Sequence, residues 1–221
     1  MKATVNFLVK FGNEENITNL FEKGEIFMNT IKTFKEFDKQ GIGDKYEGVV
    51  NIHNSSSSTL TLKFPNNPLT LNPTKLQFWE SYTGHVGNIY STYAISNLLV
   101  RRKDIHRIDK RMQIFGSHCI IIKDVVGFIE AISNELDRQK IEYSHNLVNY
   151  RDFNKLNHKI TLYDKSHLLS YQKEHRIIAM TKYDKPLKFE IGSLKSFAEM
   201  YTSKEFIEKS VVERITPPNS Q

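Results

Sequence analysis

Residues 170–180, SYQKEHRIIAM, join a row of polar side chains to an apolar run. Gln172, Glu174 and Arg176 recur at every second position, and Ile177 begins the apolar run. Because successive side chains of a strand point to opposite faces, these three polar groups share one face if the segment is extended. The pattern predicts a strand over 174–181 that enters the core, with an amide, a carboxylate and a guanidinium at its start.

Two interpretations of this polar row follow from the residues alone. In the first, Glu174 and Arg176 belong to a surface that pairs with charges on neighbouring strands. Exposed pairs of this kind are common and contribute little to stability. In the second, the row is a functional site.

The composition indicates a folded chain with a basic surface. The 221 residues are 39% hydrophobic and 11% aromatic, which is enough for a core. We therefore predict one globular domain over 1–215, followed by a flexible tail over 216–221. Lys and Arg number 31 against 25 Asp and Glu, and the net charge of +6 favours anionic partners such as nucleic acid. The oligomeric state is not indicated.

The single cysteine and the first residues narrow the class of protein. Cys119 lies inside an apolar run, so we predict a buried strand residue, and no disulfide can form within one chain. The first residues lack the long apolar segment of a signal peptide, and no run is long and apolar enough to span a membrane. We expect a cytoplasmic protein with no membrane partner.

Strand and helix signals predict an α+β fold. Asn13 and Asp124 are helix-capping residues followed by apolar stripes at helical spacing, and Gly24 is placed to end the first of these helices. Strands outnumber helices and do not alternate with them, which indicates a single domain with a mixed or antiparallel sheet and flanking helices. Further expectations are strands over 49–53 and 59–64 around a polar turn, core positions for Phe78 and Trp79, a strand pair formed by 174–181 and 187–191, and a short helix that begins at Ser193.

Several nucleotide-binding and metal-binding motifs are absent from the sequence. There is no P-loop, no glycine fingerprint for dinucleotides, no H-E-x-x-H and no G-x-S-x-G. The histidines give no ligand pair at helical spacing. The motifs therefore predict no metal.

The loop GDKYEG at residues 43–48 is a second candidate site. Asp44, Tyr46 and Glu47 lie between two glycines, and polar loops on a rigid scaffold often have a function. The alternative is a turn in which Asp and Gly satisfy backbone geometry. If Asp44 or Glu47 met Glu174, these carboxylates could bind a divalent metal, and the protein would then be a metal-dependent nuclease.

A basic stretch over 101–113 is the third candidate. Its cations alternate with apolar residues, so that on a helix the bases would face one side. A solvated surface is one interpretation, and a phosphate-contacting surface that binds nucleic acid is the other. The cations are Arg101, Arg102, Lys103, Arg107, Lys110 and Arg111.

Four segments resemble a family of largely uncharacterised bacterial and phage proteins. They are FEKGEIFMNTIKTFKEF at 21–37, GDKYEG at 43–48, KSHLLSYQKEHRIIA at 165–179 and PLKFEIGSL at 186–194. That family ends in a Tyr-x-x-Glu-x-Glu-Tyr-Arg-like strand, in which Gln172 here replaces the first Glu and His175 the Tyr. Some of its members occur near phage-defence genes, so the resemblance implies a role in phage defence or as a toxin.

The same strand is similar to the Gln/Glu-x-Glu motif of the ADP-ribosyltransferase superfamily. The resemblance implies a split sheet, NAD as the co-substrate, and transfer of ADP-ribose to a nucleic-acid or protein acceptor. It further implies that Glu174 is the catalytic carboxylate, which accepts a hydrogen bond from the nicotinamide ribose and stabilises an oxocarbenium-like transition state. Gln172 would help to position the acceptor, and Arg176 would support Glu174.

Two further parts of the superfamily pattern match earlier segments of the chain. The superfamily has an Arg or His, often followed by Gly, at the end of its first strand, where this chain has Lys10 and Gly12. It also has a Ser- or Tyr-bearing strand in mid-chain, for which Ser91 and Tyr93 are the best match. The resemblance implies that these residues line an NAD pocket. The alternatives are a non-catalytic module that uses the basic stretch to bind nucleic acid or protein, and the nuclease.

Overall fold

The structure is a computed structural model that describes residues 4–36, 43–56, 58–65, 67–83, 87–97, 99, 105–155, 157 and 159–213. Its α-helices are α1 (Glu14–Lys23), α2 (Ile31–Glu36), α3 (Val125–Arg138) and α4 (Ser203–Lys209), and two 3-10 helices span Lys110–Phe115 and His167–Gln172. The strands are β1 (Val5–Gly12), β2 (Glu25–Thr30), β3 (Val49–Ser55), β4 (Leu60–Leu62), β5 (Leu69–Leu71), β6 (Leu76–Ser81), β7 (Asn88–Ser96), β8 (Ile105–His106), β9 (His118–Ile122), β10 (Glu142–Leu147), β11 (Asn149–Arg151), β12 (Asp164–Ser166), β13 (Glu174–Met180), β14 (Leu187–Glu190), β15 (Ala198–Thr202) and β16 (Val212–Glu213). The predicted flexible tail lies outside the described residues.

An antiparallel sheet forms the centre of the molecule. Its main path runs β10-β13-β7-β1-β9-β15, and every pairing along this path is antiparallel. Strands and helices do not alternate along the chain, so the α+β prediction is confirmed. No helix of the described residues is long and apolar enough to cross a membrane.

One edge of β7 is shared by two strands, and this opens the sheet. Near its end, β7 pairs with β1, and the last matched residues are Val9 and Tyr93. At its start, β7 pairs with β2 through Asn29 and Ile89. Beyond Val9, β1 continues beside β9 alone, while β2 pairs on its far side with β14. The two strands therefore diverge on either side of residues 90–92, and a cleft lies between them.

The helices that cover the sheet begin and end where the capping residues predict. The side chain of Asn13 accepts a hydrogen bond from Asn16 N at the start of α1, and Gly24 ends that helix in the left-handed region with φ of 67°. Asp124 caps α3 in the same way through Gly127 N. The apolar stripes of both helices belong to the main core, with Ile17, Leu20, Phe128, Ile132 and Leu136 among its buried residues.

Two predictions for the last third of the chain are wrong. The segment 187–191 does not pair with β13, because β10 and β7 already occupy both edges of β13, and β14 pairs with β2 instead. No helix begins at Ser193. A turn follows it, and the chain then enters β15, where Ala198 is buried and pairs with Ile122 of β9.

A narrow ribbon projects from the sheet and differs from its predicted packing. The strand predicted over 49–53 pairs with β6, and the one predicted over 59–64 is the short β4, which pairs with β5. Phe78 and Trp79 on β6 are 51% and 48% exposed, so the prediction that they lie in the core is wrong. A two-stranded ribbon has no second layer of strands or helices to cover both of its faces, which leaves these rings in solvent.

Candidate functional site

The cleft beside β7 has a volume of about 730 Å³. Every residue predicted for the NAD pocket and for the polar row lines it: Lys10, Gly12, Ser91, Tyr93, Gln172, Glu174 and Arg176. Asp44 and Glu47 of the loop over 43–48 line it as well. The segments around residues 10, 91 and 174 are far apart in sequence and meet because β1 and β13 pair with opposite edges of β7.

Glu174 is the first residue of β13 and is held by four partners. Its Oε1 accepts from Lys165 Nζ, and its Oε2 accepts from Arg176 Nε at 2.8 Å and from Ser91 Oγ at 3.3 Å. Its backbone N donates to the Tyr150 hydroxyl at 2.9 Å. An ionised carboxylate offers about four acceptor positions, and the side chains of the described residues occupy three of them, which leaves one position on Oε1 for a ligand.

Gln172 is not part of the strand, so the prediction that it shares a strand face with Glu174 is wrong. It ends the 3-10 helix His167–Gln172, and Lys173 then adopts a left-handed conformation with φ of 44° before β13 begins. The two side chains nevertheless meet through a third residue, because Lys165 Nζ also donates to Gln172 Oε1 at 2.6 Å.

Arg176 lies in the interior and joins two carboxylates. It donates to both carboxylate oxygens of Glu47, at 2.9 and 2.8 Å, and to Leu162 O at 2.6 Å, in addition to its bond to Glu174. Its side chain is 3% exposed and that of Glu174 is 9% exposed. The interpretation of this row as an exposed salt-bridged surface is therefore wrong.

Lys165 is the site residue that sequence reasoning missed. It lies on β12, is 4% exposed, and contacts both Gln172 and Glu174. The only signal in the sequence was its membership of the segment KSHLLSYQKEHRIIA. Nothing in the local pattern distinguishes a buried lysine from the surface lysines around it, because its burial depends on the parallel pairing of β12 with β11.

The charges around Glu174 keep it ionised. Burial alone would raise the pKa of this carboxyl, but the charges of Lys165 and Arg176 and their hydrogen bonds lower the pKa to about 2. Glu174 is therefore an anion at neutral pH. A group with so low a pKa is a poor general base, whereas it is well suited to stabilise a nearby positive charge.

Lys10 is a cation in the cleft that forms no ion pair with a carboxylate of the described residues. It is half-buried, its Nζ donates to Ser91 O at 2.8 Å, and it lies 4.3 Å from the ring centroid of Tyr90. Burial lowers the pKa of Lys10 to about 8, while the charge of Glu174 opposes that shift. An amine in this position can bind an anionic group of a ligand.

The loop over 43–48 positions two carboxylates beneath the cleft. Asp44 accepts hydrogen bonds from Tyr46 N at 3.0 Å and from Ser166 N at 3.4 Å, and burial raises the pKa of Asp44. Tyr46 donates from its hydroxyl to Gln77 Oε1 at 2.6 Å. The positive charge next to Glu47 and Glu174 comes from Arg176 and Lys165. The described part of the chain contains no group of three or more His, Cys, Asp or Glu residues that could hold a metal ion.

The basic stretch is not an α-helix where the structure describes it. Arg101, Arg102 and Lys103 lie outside the described residues. From residue 105 onward the chain forms β8 and then the 3-10 helix capped by Asp109, because β8 pairs with β16 and cannot join a helix. Arg107 and Lys110 are exposed, and Arg111 pairs with Asp109 at 2.7 Å and stacks over the Tyr171 ring.

The arrangement presents a fixed anion, Glu174, and a cation, Lys10, to one cleft. Its volume is within the range of small-molecule and cofactor sites. The anion can stabilise a cationic transition state, and the cation can bind phosphate. Comparison of the chain with protein-family models, with curated proteins and with solved structures found no match.

Proposed function

We propose that this protein is an ADP-ribosyltransferase-like enzyme that transfers ADP-ribose from NAD to a nucleic-acid or protein acceptor. One observation carries the proposal. Lys10, Ser91 and Glu174 stand at the positions of three separate parts of the superfamily pattern, with Lys10 in place of Arg or His, and they line one cleft at the point where β1 leaves β7. The sequence alone did not require these three segments to be neighbours.

The residues of the cleft fit NAD by their charge. Lys10 is bound to no carboxylate of the described residues, and its amine can bind a phosphate oxygen of the dinucleotide. When the bond between ribose and nicotinamide breaks, the bonding electrons leave with nicotinamide and positive charge develops on the ribose. The anionic Glu174 stabilises that charge, and its remaining acceptor position can take a ribose hydroxyl.

Lys165 and Arg176 act on the reaction through Glu174. They fix the orientation of its carboxylate and hold it in the ionised form. Glu47 compensates the second charge of this cluster through its two bonds to Arg176. Because the carboxylate is already oriented before substrate binds, little reorganisation is required when the charge develops.

Turnover of labelled NAD by the purified protein tests the proposal, with nucleic acid and mixed proteins supplied as acceptors. We expect transfer of label, and we expect Glu174→Gln to reduce it by about 100-fold or more, as for loss of a preorganised charged group. Glu135→Gln is a matched control because Glu135 lies on α3 and does not line the cleft. Absence of NAD turnover together with absence of NAD binding by calorimetry would overturn the proposal.

The defence or toxin role is proposed on the resemblance and has its own test. Expression of the active protein should slow bacterial growth or restrict phage, and Glu174→Gln should relieve the effect at equal protein level. If the wild type and Glu174→Gln slow growth or restrict phage equally, the biological role does not depend on the chemistry of the cleft.

A further inference from the structure

The ribbon formed by β3, β6 and the β4–β5 hairpin, residues 49–81, is here called the extension. Between Glu47 and Glu80 the sequence contains no Asp or Glu. The only charged side chains in that interval are Lys63 and Lys75, with His53 as a third titratable group. The extension also contains Glu80, which is exposed and directly follows Trp79, so by strand alternation its carboxylate faces the side opposite to Trp79. Between residues 48 and 79 the only charges are therefore those of two lysines, which favour a polyanion.

One face of β6 combines an exposed aromatic ring with cations. Trp79 is 48% exposed and forms a T-shaped contact with the Tyr46 ring, at 5.9 Å between ring centroids. The exposed Lys45 lies over that same ring, 4.8 Å from its centroid. Lys75 is exposed and precedes Trp79 by four residues, which in an extended chain places both side chains on the same face. The exposed Trp79 ring therefore has one exposed lysine, Lys45, over the ring that it contacts and a second, Lys75, directly before its strand.

This face is connected to the catalytic cluster through the loop over 43–48. Tyr46 bonds through its hydroxyl to Gln77 on β6, and it directly precedes Glu47. Glu47 is bonded to Arg176, which in turn is bonded to Glu174. A ligand stacked on Trp79 would therefore lie against the same loop that forms the floor of the cleft.

We propose that the Trp79 face of the extension binds single-stranded nucleic acid, with a base stacked on Trp79 and phosphates contacted by Lys45 and Lys75. Stacking on an exposed aromatic ring accepts any base, and lysines beside it bind the backbone without reading sequence. The inference names the acceptor class of the proposed transferase and in that respect rests on the proposed function. The binding itself does not depend on NAD chemistry.

A different part of the extension suggests a competing occupant. Leu62 pairs with Leu69 and Leu60 with Leu71, so the β4–β5 hairpin has four leucines on one face. Such a surface is typical of protein contacts. The half-exposed Trp79 ring, the exposed Lys45 and Lys75, and the lack of any Asp or Glu between residues 48 and 79 favour nucleic acid for the base of the extension, and the experiment below distinguishes the two.

Trp79 is the only tryptophan of the chain, so its fluorescence reports on this face alone. The protein is titrated without NAD with an oligothymidylate of about 15 nucleotides, a length that spans one single-strand binding site. We expect saturable quenching and a matching rise in the anisotropy of a labelled oligonucleotide. Raising the salt concentration should weaken both, because binding releases counterions from the phosphates.

Substitutions distinguish the contribution of base stacking to oligonucleotide affinity from the contribution of charge. We expect Trp79→Ala to weaken binding about tenfold and Trp79→Phe to retain most of the affinity in the anisotropy assay. Lys45→Glu with Lys75→Glu should also weaken binding and should reduce its salt dependence. Tyr183→Ala, which removes a 72% exposed ring outside the extension, is the matched control and should bind as the wild type does.

Absence of quenching and of anisotropy change up to about 100 µM protein at low salt would overturn the proposal, since that range covers non-specific binding. Binding that is unaltered in the Trp79 and lysine variants would also overturn it. Self-association that is abolished by Leu69→Asp, without oligonucleotide binding, would instead assign the extension to a protein contact. Oligonucleotide binding without NAD turnover would support nucleic-acid binding by the Trp79 face and would contradict the transferase proposal. NAD turnover on protein acceptors without oligonucleotide binding would support the transferase proposal and would contradict nucleic-acid binding by this face.

Discussion

Glu174 and Glu135 have nearly the same acidity for different reasons. On α3, hydrogen bonds from Arg138 and Gln139 lower the pKa of Glu135 to about 2 at the protein surface, where the Arg138 side chain is 73% exposed. In the cleft, burial works against the ionised Glu174, and the charges of Lys165 and Arg176 overcome it to reach a similar pKa. A low pKa therefore does not by itself identify a site.

The two carboxylates differ in what happens when a partner is removed. Water can replace Arg138 beside Glu135, because the Arg138 side chain is 73% exposed and the partly buried Glu135 side chain keeps 17% of its surface in solvent. Water has little access to the cluster around Arg176, so a lost partner leaves a buried charge without compensation. Burial is thus the property that makes the cleft sensitive to substitution.

The largest effect is expected from Arg176→Met, which keeps much of the side-chain volume and removes the charge. Glu47 and Glu174 would both lose their shared partner, and the free energy of unfolding should fall by about 3–5 kcal/mol, as for other broken buried ion pairs. Urea denaturation followed by circular dichroism measures it. A loss below about 1 kcal/mol would place this cluster in the same class as a surface pair.

Lys165→Met should change the pKa of Glu174 more than it changes the stability of the fold. Glu174 would keep Arg176 and Ser91, but without the Lys165 charge its pKa should rise from about 2. The acid limb of the pH profile of NAD turnover should therefore move to higher pH. A variant that loses stability while its acid limb stays in place would show that Lys165 has only a structural role.

The pH dependence of NAD binding tests whether the charge of Lys10 contributes to NAD affinity. Its pKa of about 8 means that the amine loses its charge as the pH rises through that value. NAD affinity measured by calorimetry should fall up to about tenfold between pH 7 and pH 9, following the protonated fraction of Lys10. Lys10→Arg should remove this pH dependence, because a guanidinium stays charged. Equal pH dependence in both proteins would assign the effect to another group.

The smallest effect is expected from Arg138→Ala. This substitution breaks a bidentate pair whose bond lengths resemble those between Arg176 and Glu47, yet the free energy of unfolding should fall by only about 0.3–0.5 kcal/mol. The same urea titration measures it. A loss comparable to that of Arg176→Met would mean that geometry outweighs burial in this protein.

Local signals in the sequence were sufficient for parts of the fold. Asn13, Gly24 and Asp124 mark helix ends because capping depends on side chains a few residues away. The pairing of β14 with β2 could not be predicted in this way, since it follows from the occupied edges of β13. Adjacency along the chain suggested a hairpin that the sheet has no room to form.

In the candidate site, too, the residues that a local pattern marks were predicted, and those whose position depends on distant contacts were not. Glu174 and Arg176 were found from their spacing on a strand, and Glu47 from its loop. Gln172 was assigned to the same strand face because the left-handed residue Lys173 is invisible to an alternating pattern. Lys165 was missed because its burial comes from contacts that no short segment contains.

The divided edge of β7 leaves the amide of Ser91 exposed to the cleft. Ala94 N donates to Lys173 O, on the β13 side, so by alternation the backbone of Ser91 faces the edge where β1 and β2 have separated. Ser91 O accepts from Lys10 there, while its N–H meets no strand among the described residues. Hydrogen exchange at Ser91 should therefore be fast within a strand whose neighbouring amides are protected. Slowing of that single amide would report occupancy of the cleft by any ligand, without a label and without turnover.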